Sequence, residues 1–152
     1  MIKSKIKIDI SVINLFLESC SNRDNYKLGL NSYQFAMMYN IIPNEVTFGI
    51  MIKLYGFARE LHKAFELLDL MAVYKIHPSI IIFTNLIHTS FYNNKPNKAE
   101  LAYKLLKKEK LRGDCLLYSK LIDGLIRFKE FSKIEKYIDL ALEERLTINS
   151  KT

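Results

Sequence analysis

The sequence has no tryptophan, and only five glycines, three prolines and two cysteines occur among its 152 residues. So few turn-forming residues exclude a turn-dense sandwich or barrel. Cys20 and Cys115 lie far apart, with neither a second cysteine nor a histidine at metal-ligand spacing. They predict two free thiols in a reducing compartment and no metal site. No apolar run approaches the roughly 20 residues that cross a bilayer, so we expect no membrane span.

The residue types that are abundant in the sequence are apolar and basic. Hydrophobic residues make up 49% of the chain, and the formal net charge is +7. This composition can offset its ordering entropy, which excludes intrinsic disorder and indicates a soluble, helical protein. The first 16 residues are basic and apolar, but Lys7 and Asp9 interrupt the apolar stretch and no small-residue cleavage site follows. They therefore predict no secretory signal and, lacking arginine, no clear organelle transit peptide.

The chain repeats itself every 35 residues. The stretches VTFGIMI from Val46, IIFTNLI from Ile81 and LLYSKLI from Leu116 align at this spacing, and SVINLFL from Ser11 is a weaker copy. The period predicts a basic N-terminal lead over residues 1–9 and a repeat region over residues 10–149. Its four blocks are residues 10–44, which are degenerate, then 45–79, 80–114 and 115–149.

Each block carries two helical patterns. In the second block, Phe48, Met51 and Ile52 follow the i, i+3, i+4 spacing of one helix face, and a second stripe begins at Leu61 after a short break. Such a helix–turn–helix unit cannot bury its apolar face alone, so neighbouring units must stack. The sequence predicts an all-α fold, an α-solenoid of four 35-residue helix–turn–helix repeats.

These residues resemble a known repeat family. The 35-residue period, the V-T-F-x-x-x-I opening from Val46 to Ile52 and the A-F-E-L-L-D-L-M second helix from Ala64 to Met71 are similar to pentatricopeptide repeats. The resemblance covers nearly the whole chain and is strongest in the second block. The nearest alternative is the tetratricopeptide repeat, of 34-residue period. Its characteristic tryptophan is absent here, as is its Leu-Gly and Pro spacing.

The resemblance implies binding of single-stranded RNA along the wall of first helices, one base per repeat. In the family, the residue after the first-helix aromatic and the last residue of the block read the base. The corresponding pairs are Asn14 with Asn44, Gly49 with Ser79, Thr84 with Asp114, and Ser119 with Asn149. The resemblance assigns the first pair to a pyrimidine, the third to guanine and the fourth to adenine. The second pair reads nothing, because glycine has no side chain to donate or accept.

Two further positions follow from the resemblance. The apolar residue that wedges between bases in the family falls at Val46, Ile81 and Leu116, whereas the first block has Ser11 there. A basic residue near the end of a first helix often meets phosphate in the family, and here only Arg127 fits that position. Neither a cofactor nor a small-molecule substrate is implied.

Two features have a second interpretation. Asn44, Ser79, Asp114 and Asn149 are residue types that cap helices, and capping alone would select them. The third block holds seven basic residues against three acidic ones, on its second helix and the exit from it. This basic run is either a solvated face or a docking patch for RNA backbone or an acidic partner.

The sequence thus favours an RNA-binding adaptor in the processing, stability or translation of transcripts in a mitochondrion or other organelle, or within a larger ribonucleoprotein. With no clear transit peptide, the cytoplasm and the nucleus stay open. No phosphate-binding glycine loop, nucleophile motif or metal cluster is found, so we expect no enzyme, and we expect Glu143 and Glu144 to be solvated. The alternatives are a protein-interaction solenoid that does not read RNA, suggested by Gly49, and a part of a longer array.

Overall fold

A computed structural model describes residues 8–149, with side chains up to residue 145. Within these residues the chain forms eight α-helices and no strand, which confirms the predicted all-α fold. The helices are α1 (Ile10–Ser19), α2 (Tyr26–Met38), α3 (Glu45–Phe57), α4 (Leu61–Val73), α5 (Ile80–Tyr92), α6 (Pro96–Lys108), α7 (Cys115–Arg127) and α8 (Phe131–Asn149). No helix in the described part of the chain combines the length and apolar character that a bilayer span requires.

The odd-numbered helices begin directly after a polar residue that caps them. The side chains of Asp9, Asn44 and Asp114 accept a hydrogen bond from the backbone N–H three residues later, at 3.1, 3.1 and 2.8 Å. Ser79 accepts one from the N–H of Ile81 at 3.3 Å. Each bond satisfies one of the donors that a helix N-terminus leaves unpaired. The predicted capping role is therefore confirmed at Asn44, Ser79 and Asp114.

Six helices are followed, two residues after their last residue, by a residue whose backbone is left-handed, and none of the six is a glycine. These residues are Asn40, Arg59, Lys75, Asn94, Lys110 and Lys129, with φ between 56° and 62°. The next N–H then bonds back to the helix, as from Ile76 to the carbonyl of Met71 at 2.9 Å. This is the Schellman termination, which satisfies a carbonyl of the last turn. The six residues form two series, Asn40, Lys75 and Lys110, and Arg59, Asn94 and Lys129, whose members are 35 residues apart. The ends of the helices therefore repeat with the same period as their starts.

Helices α1–α4 form one compact unit. In it, α1 packs against α2 and α3, and α3 also contacts α2 and α4. Leu17 and Phe48 are fully buried in this unit. A Cβ on Gly29 would lie 3.0 Å from both Cδ atoms of Leu54, so the small residue lets α2 lie close to α3.

Helices α5–α8 form the second unit, with the same order of neighbours. Here α5 packs against α6 and α7, and α7 also contacts α6 and α8. A Cβ on Gly124 would lie 2.2 Å from the Phe91 ring, so α7 approaches α5 closely because this position has no side chain. Deeper in the unit, the hydroxyls of Tyr103 and Tyr118 lie 3.1 Å apart. Burial raises the pKa of both hydroxyls, which therefore stay protonated at neutral pH.

The basic run lies on α6 and its exit, and part of it is paired within the second unit. Lys107 forms an ion pair with Glu144, whose carboxylate also accepts a hydrogen bond from the N–H of Gly113 at 2.7 Å. Glu143 is exposed, as expected. For Glu144 the expectation of a solvated carboxylate is wrong, because α8 packs on α7 and brings this side chain to the loop that precedes α7.

Candidate nucleic-acid interface

The first predicted pair is joined in the structure. The side-chain amide of Asn14, on α1, donates to Oδ1 of Asn44 at 2.9 Å. The hydroxyl of Thr47, on α3, lies 2.8 Å from Oδ1 of Asn14 and 3.0 Å from Oδ1 of Asn44. Asn14 and Thr47 are buried, whereas Asn44 is exposed. The pair is therefore a buried polar network with one member at the surface.

The third pair is arranged differently. The hydroxyl of Thr84 donates to the carbonyl of Ile80 in its own helix at 2.9 Å, and the carboxylate of Asp114 accepts from the N–H of Leu117 at 2.8 Å. Each side chain thus bonds to its own helix. The Thr84 oxygen keeps its acceptor capacity, and Asp114, which is exposed, keeps its second carboxylate oxygen. Both remaining groups are acceptors, the chemistry that the N–H donors on the Watson–Crick edge of guanine need.

The second pair consists of Gly49 and Ser79, and the fourth pair of Ser119 and Asn149. Gly49 is buried in α3 of the first unit, and Ser79 caps α5 of the second. Ser119 is exposed on α7. Asn149 is the last residue of α8, and its side chain lies outside the described ones.

Three large apolar side chains are exposed at the positions expected to meet bases. Val46, Ile81 and Leu116 keep 59%, 64% and 58% of their surface in solvent. The aromatic residue two positions later is buried each time, at 0% for Phe48, 1% for Phe83 and 5% for Tyr118. Ser11, the corresponding residue of α1, is also exposed. The repeated aromatic thus packs the fold, while the apolar residue before it is left to solvent.

Arg127 lies at the end of α7, where its guanidinium sits 5.5 Å from the centre of the Phe128 ring. It lines a concavity of ≈ 230 Å³ between α5 and α7. The other lining residues are His88, Phe91, Lys120, Asp123 and Gly124. Sequence reasoning missed Lys120, although it is seven residues before Arg127 and thus on the same face of α7. The concavity places two cations and one carboxylate beside an aromatic ring.

Two family models match this sequence. A model described as a PPR repeat matches residues 39–72, and one described as a pentatricopeptide repeat domain matches residues 66–126. Together they span residues 39–126, more than half of the chain. The chain belongs to the pentatricopeptide repeat family.

Known pentatricopeptide repeat proteins match at low identity. A chloroplastic pentatricopeptide repeat-containing protein of Arabidopsis thaliana is 24% identical over 130 residues, which is 86% of this chain and 13% of that protein. The pentatricopeptide repeat domain of Arabidopsis thaliana protein-only RNase P 1, in complex with tRNA, matches with a TM-score of 0.75 and 15% identity, covering 96% of this chain and 81% of that one. The protein PPR10 in complex with an 18-nt psaJ RNA element matches with a TM-score of 0.82 and 14% identity, covering 91% of this chain and 20% of that one.

These structural matches establish a pentatricopeptide-type solenoid fold for the chain. The region that the family models match contains Val46, Ile81 and Leu116, together with the pair of Thr84 and Asp114. Asn14 lies before this region, and its bond to Asn44 comes from the structure alone. The roles of individual residues in this pentatricopeptide repeat protein stay predictions.

Proposed function

We propose that the chain binds single-stranded RNA through its first helices, as an adaptor in organellar RNA processing, stability or translation or within a larger ribonucleoprotein. The observation that carries this proposal is the exposure of Val46, Ile81 and Leu116 at one repeat position. An aliphatic side chain left in solvent three times at the same place contributes little to folding. It can intercalate between bases, each of which has an apolar face.

The polar groups beside these residues support base contact in addition to capping. A helix cap uses one acceptor atom, so Asp114 caps α7 and keeps one oxygen free of that bond. The phosphate contact is proposed for Arg127, with Lys120 in the same concavity. By the family's pattern the chain reads pyrimidine, any base, guanine and adenine in succession, with the second position left unread by Gly49.

An organellar role is proposed on the family resemblance and on the chloroplastic relative. We propose that the chain acts by binding alone, without catalysis. Ultraviolet crosslinking of the purified chain to labelled single-stranded RNA tests the binding, and incubation with labelled tRNA tests for cleavage. Crosslinked RNA that stays full-length supports the proposal, and failure to crosslink at low salt contradicts it.

A second candidate function is protein binding. In the first unit, Phe35 and Met38 at the end of α2 are exposed by 58% and 79%, and Tyr39, which directly follows the helix, by 65%. The rings of Phe35 and Tyr39 lie 4.5 Å apart, and exposed apolar side chains that cluster are typical of protein contacts. A protein partner that survives RNase treatment in a pull-down favours this function, whereas its loss on RNase treatment counts against it.

A further inference from the structure

A buried hydroxyl holds the first polar pair in one orientation. Thr47 is fully buried, and its oxygen accepts a hydrogen bond from the backbone N–H of Asn44 at 3.1 Å. Its single proton is then available to donate, and the nearest acceptor is Oδ1 of Asn14 at 2.8 Å. Asn14 in turn donates its amide N–H to Oδ1 of Asn44 at 2.9 Å. The three side chains therefore form a closed, directional network.

This network decides which end of the Asn44 amide faces solvent. Oδ1 of Asn44 accepts from Asn14 and also from the backbone N–H of Thr47, at 3.1 Å, which uses both of its lone pairs. The Nδ2 group takes no part in the network and belongs to an exposed residue. Rotating the amide by half a turn would place Nδ2 against two N–H donors. Both hydrogen bonds to Oδ1 would then be lost, and the N–H groups would repel each other. Asn44 thus presents N–H groups outward.

From this geometry we infer that Thr47 is a specificity-determining positioning residue. Its hydroxyl donates to Oδ1 of Asn14 and so fixes the Asn14 amide, whose N–H then holds Oδ1 of Asn44 inward together with the backbone N–H of residue 47. The first pair is thereby left as a donor of hydrogen bonds to the base. A donor fits the acceptors that a pyrimidine carries, O2 and N3 of cytosine or O2 and O4 of uracil, and the preference for a pyrimidine is the proposed reading of this pair. This inference rests on the proposed function, because it concerns how a bound base is chosen.

Among the caps of the described first helices, only Asn44 has a side chain whose two ends differ and must be oriented. The described first helices are capped by Asp9, Asn44, Ser79 and Asp114, of which Asn44 alone carries an amide with two different polar atoms. A serine hydroxyl rotates freely, and the two oxygens of an aspartate are equivalent. The position of Thr47 is occupied by isoleucine and leucine, Ile82 and Leu117, in the next two repeats. The hydroxyl thus occurs where an amide has to be oriented.

The test compares Thr47→Val, which keeps the shape and removes the hydroxyl, with Thr47→Ser, which keeps the hydroxyl. Each protein is titrated with four short RNAs that carry cytidine, uridine, adenosine or guanosine at the first read position, before a constant N-G-A. We expect Thr47→Val to lose about fivefold of the preference for pyrimidine over purine, the factor that corresponds to one net hydrogen bond of roughly 1 kcal/mol. Thr47→Ser keeps the preference, and discrimination at the guanine position is unchanged in both.

A Thr47→Val variant that is folded and keeps the full pyrimidine preference overturns the inference while leaving the proposed function intact. Absence of RNA binding by the unmodified chain overturns both. Side-chain hydrogen exchange, measured by NMR on the unmodified chain, tests the orientation of the two amides without RNA. It does so even where the valine variant does not fold. The Asn14 amide should exchange slowly and the Asn44 amide fast, and the reverse order contradicts the inference.

Discussion

The side-chain amide of Asn14 donates to Oδ1 of Asn44 at 2.9 Å, across 30 residues of sequence. The bond ties the body of α1 to the cap of α3, so one contact joins two first helices and two positions expected to face the same base. A residue pair can therefore serve folding and recognition together. Under the proposed function, we expect the stability and the RNA preference of this chain to be coupled at this point.

Truncation of Asn14 tests the folding part of that coupling. Asn14→Ala removes a buried donor and acceptor and leaves the Thr47 hydroxyl without its nearest acceptor. We expect the free energy of unfolding to fall by about 1–3 kcal/mol, measured by chemical denaturation. Ser11→Ala, at an exposed position of the same helix, is the control and should change it by less than about 0.5 kcal/mol. Equal effects of the two changes would contradict the network.

The neighbours Leu116 and Leu117 separate binding from folding. Leu116 is 58% exposed and Leu117 is 0% exposed, although both follow the same cap. Leu116→Ser should leave the melting temperature almost unchanged and weaken RNA binding several-fold, because burying apolar surface between bases contributes about 0.8 kcal/mol per CH₂ group. Leu117→Ser should destabilise the fold by several kcal/mol, as a polar group enters the core. Unchanged RNA affinity in Leu116→Ser would remove the main support for the RNA surface.

Asp114→Asn separates capping from base reading. Asparagine caps helices about as well as aspartate, so the melting temperature should change little. The substitution replaces one acceptor oxygen by an N–H donor, and we expect the preference at this position to shift from guanine towards adenine, measured by competition between two RNAs. If the preference stays the same, Asp114 acts only as a cap.

Arg127 and Lys104 allow a test of where phosphate binds. Arg127 lines the concavity on α7, whereas Lys104 is exposed on the second helix α6. Arg127→Gln should lower the slope of log K against log salt by about 0.7, the value for one phosphate contact on a single strand. Lys104→Gln should leave the slope unchanged. The opposite result would place the RNA backbone along the basic run of α6.

The fold could be predicted from the sequence because its signals are local and repeated. Asn44, Ser79 and Asp114 are good caps at 35-residue spacing, and the first helices begin directly after them. The ends of the helices could not be predicted in the same way. Lysine at Lys75 gives no sign of a left-handed backbone, which is set there by the Schellman bond and by packing, whereas asparagine at Asn94 is a residue type enriched in that conformation.

The positions of the candidate site residues could be predicted from the sequence, but the hydrogen bonds between their side chains could not. The pairing of Asn14 with Asn44 was implied by the family resemblance. The role of Thr47 was not, because its contact with Asn14 depends on how closely α1 packs on α3. The ion pair of Lys107 with Glu144 could likewise not be predicted from the sequence, because it depends on the path of α8. Three-dimensional packing decides which polar groups are used within the protein and which remain for a ligand.

The most direct test of sequence-specific RNA binding is an equilibrium titration of the purified chain at near-physiological salt. It uses two short single-stranded RNAs of the same composition. One carries the core pyrimidine, any base, guanine, adenine, and the other carries these bases in scrambled order. We expect the ordered core to bind about tenfold more tightly or better, because each correctly read base contributes roughly 1–3 kcal/mol of discrimination and about 1.4 kcal/mol is a factor of ten. Equal binding of both RNAs that disappears as salt rises would contradict a sequence-reading function.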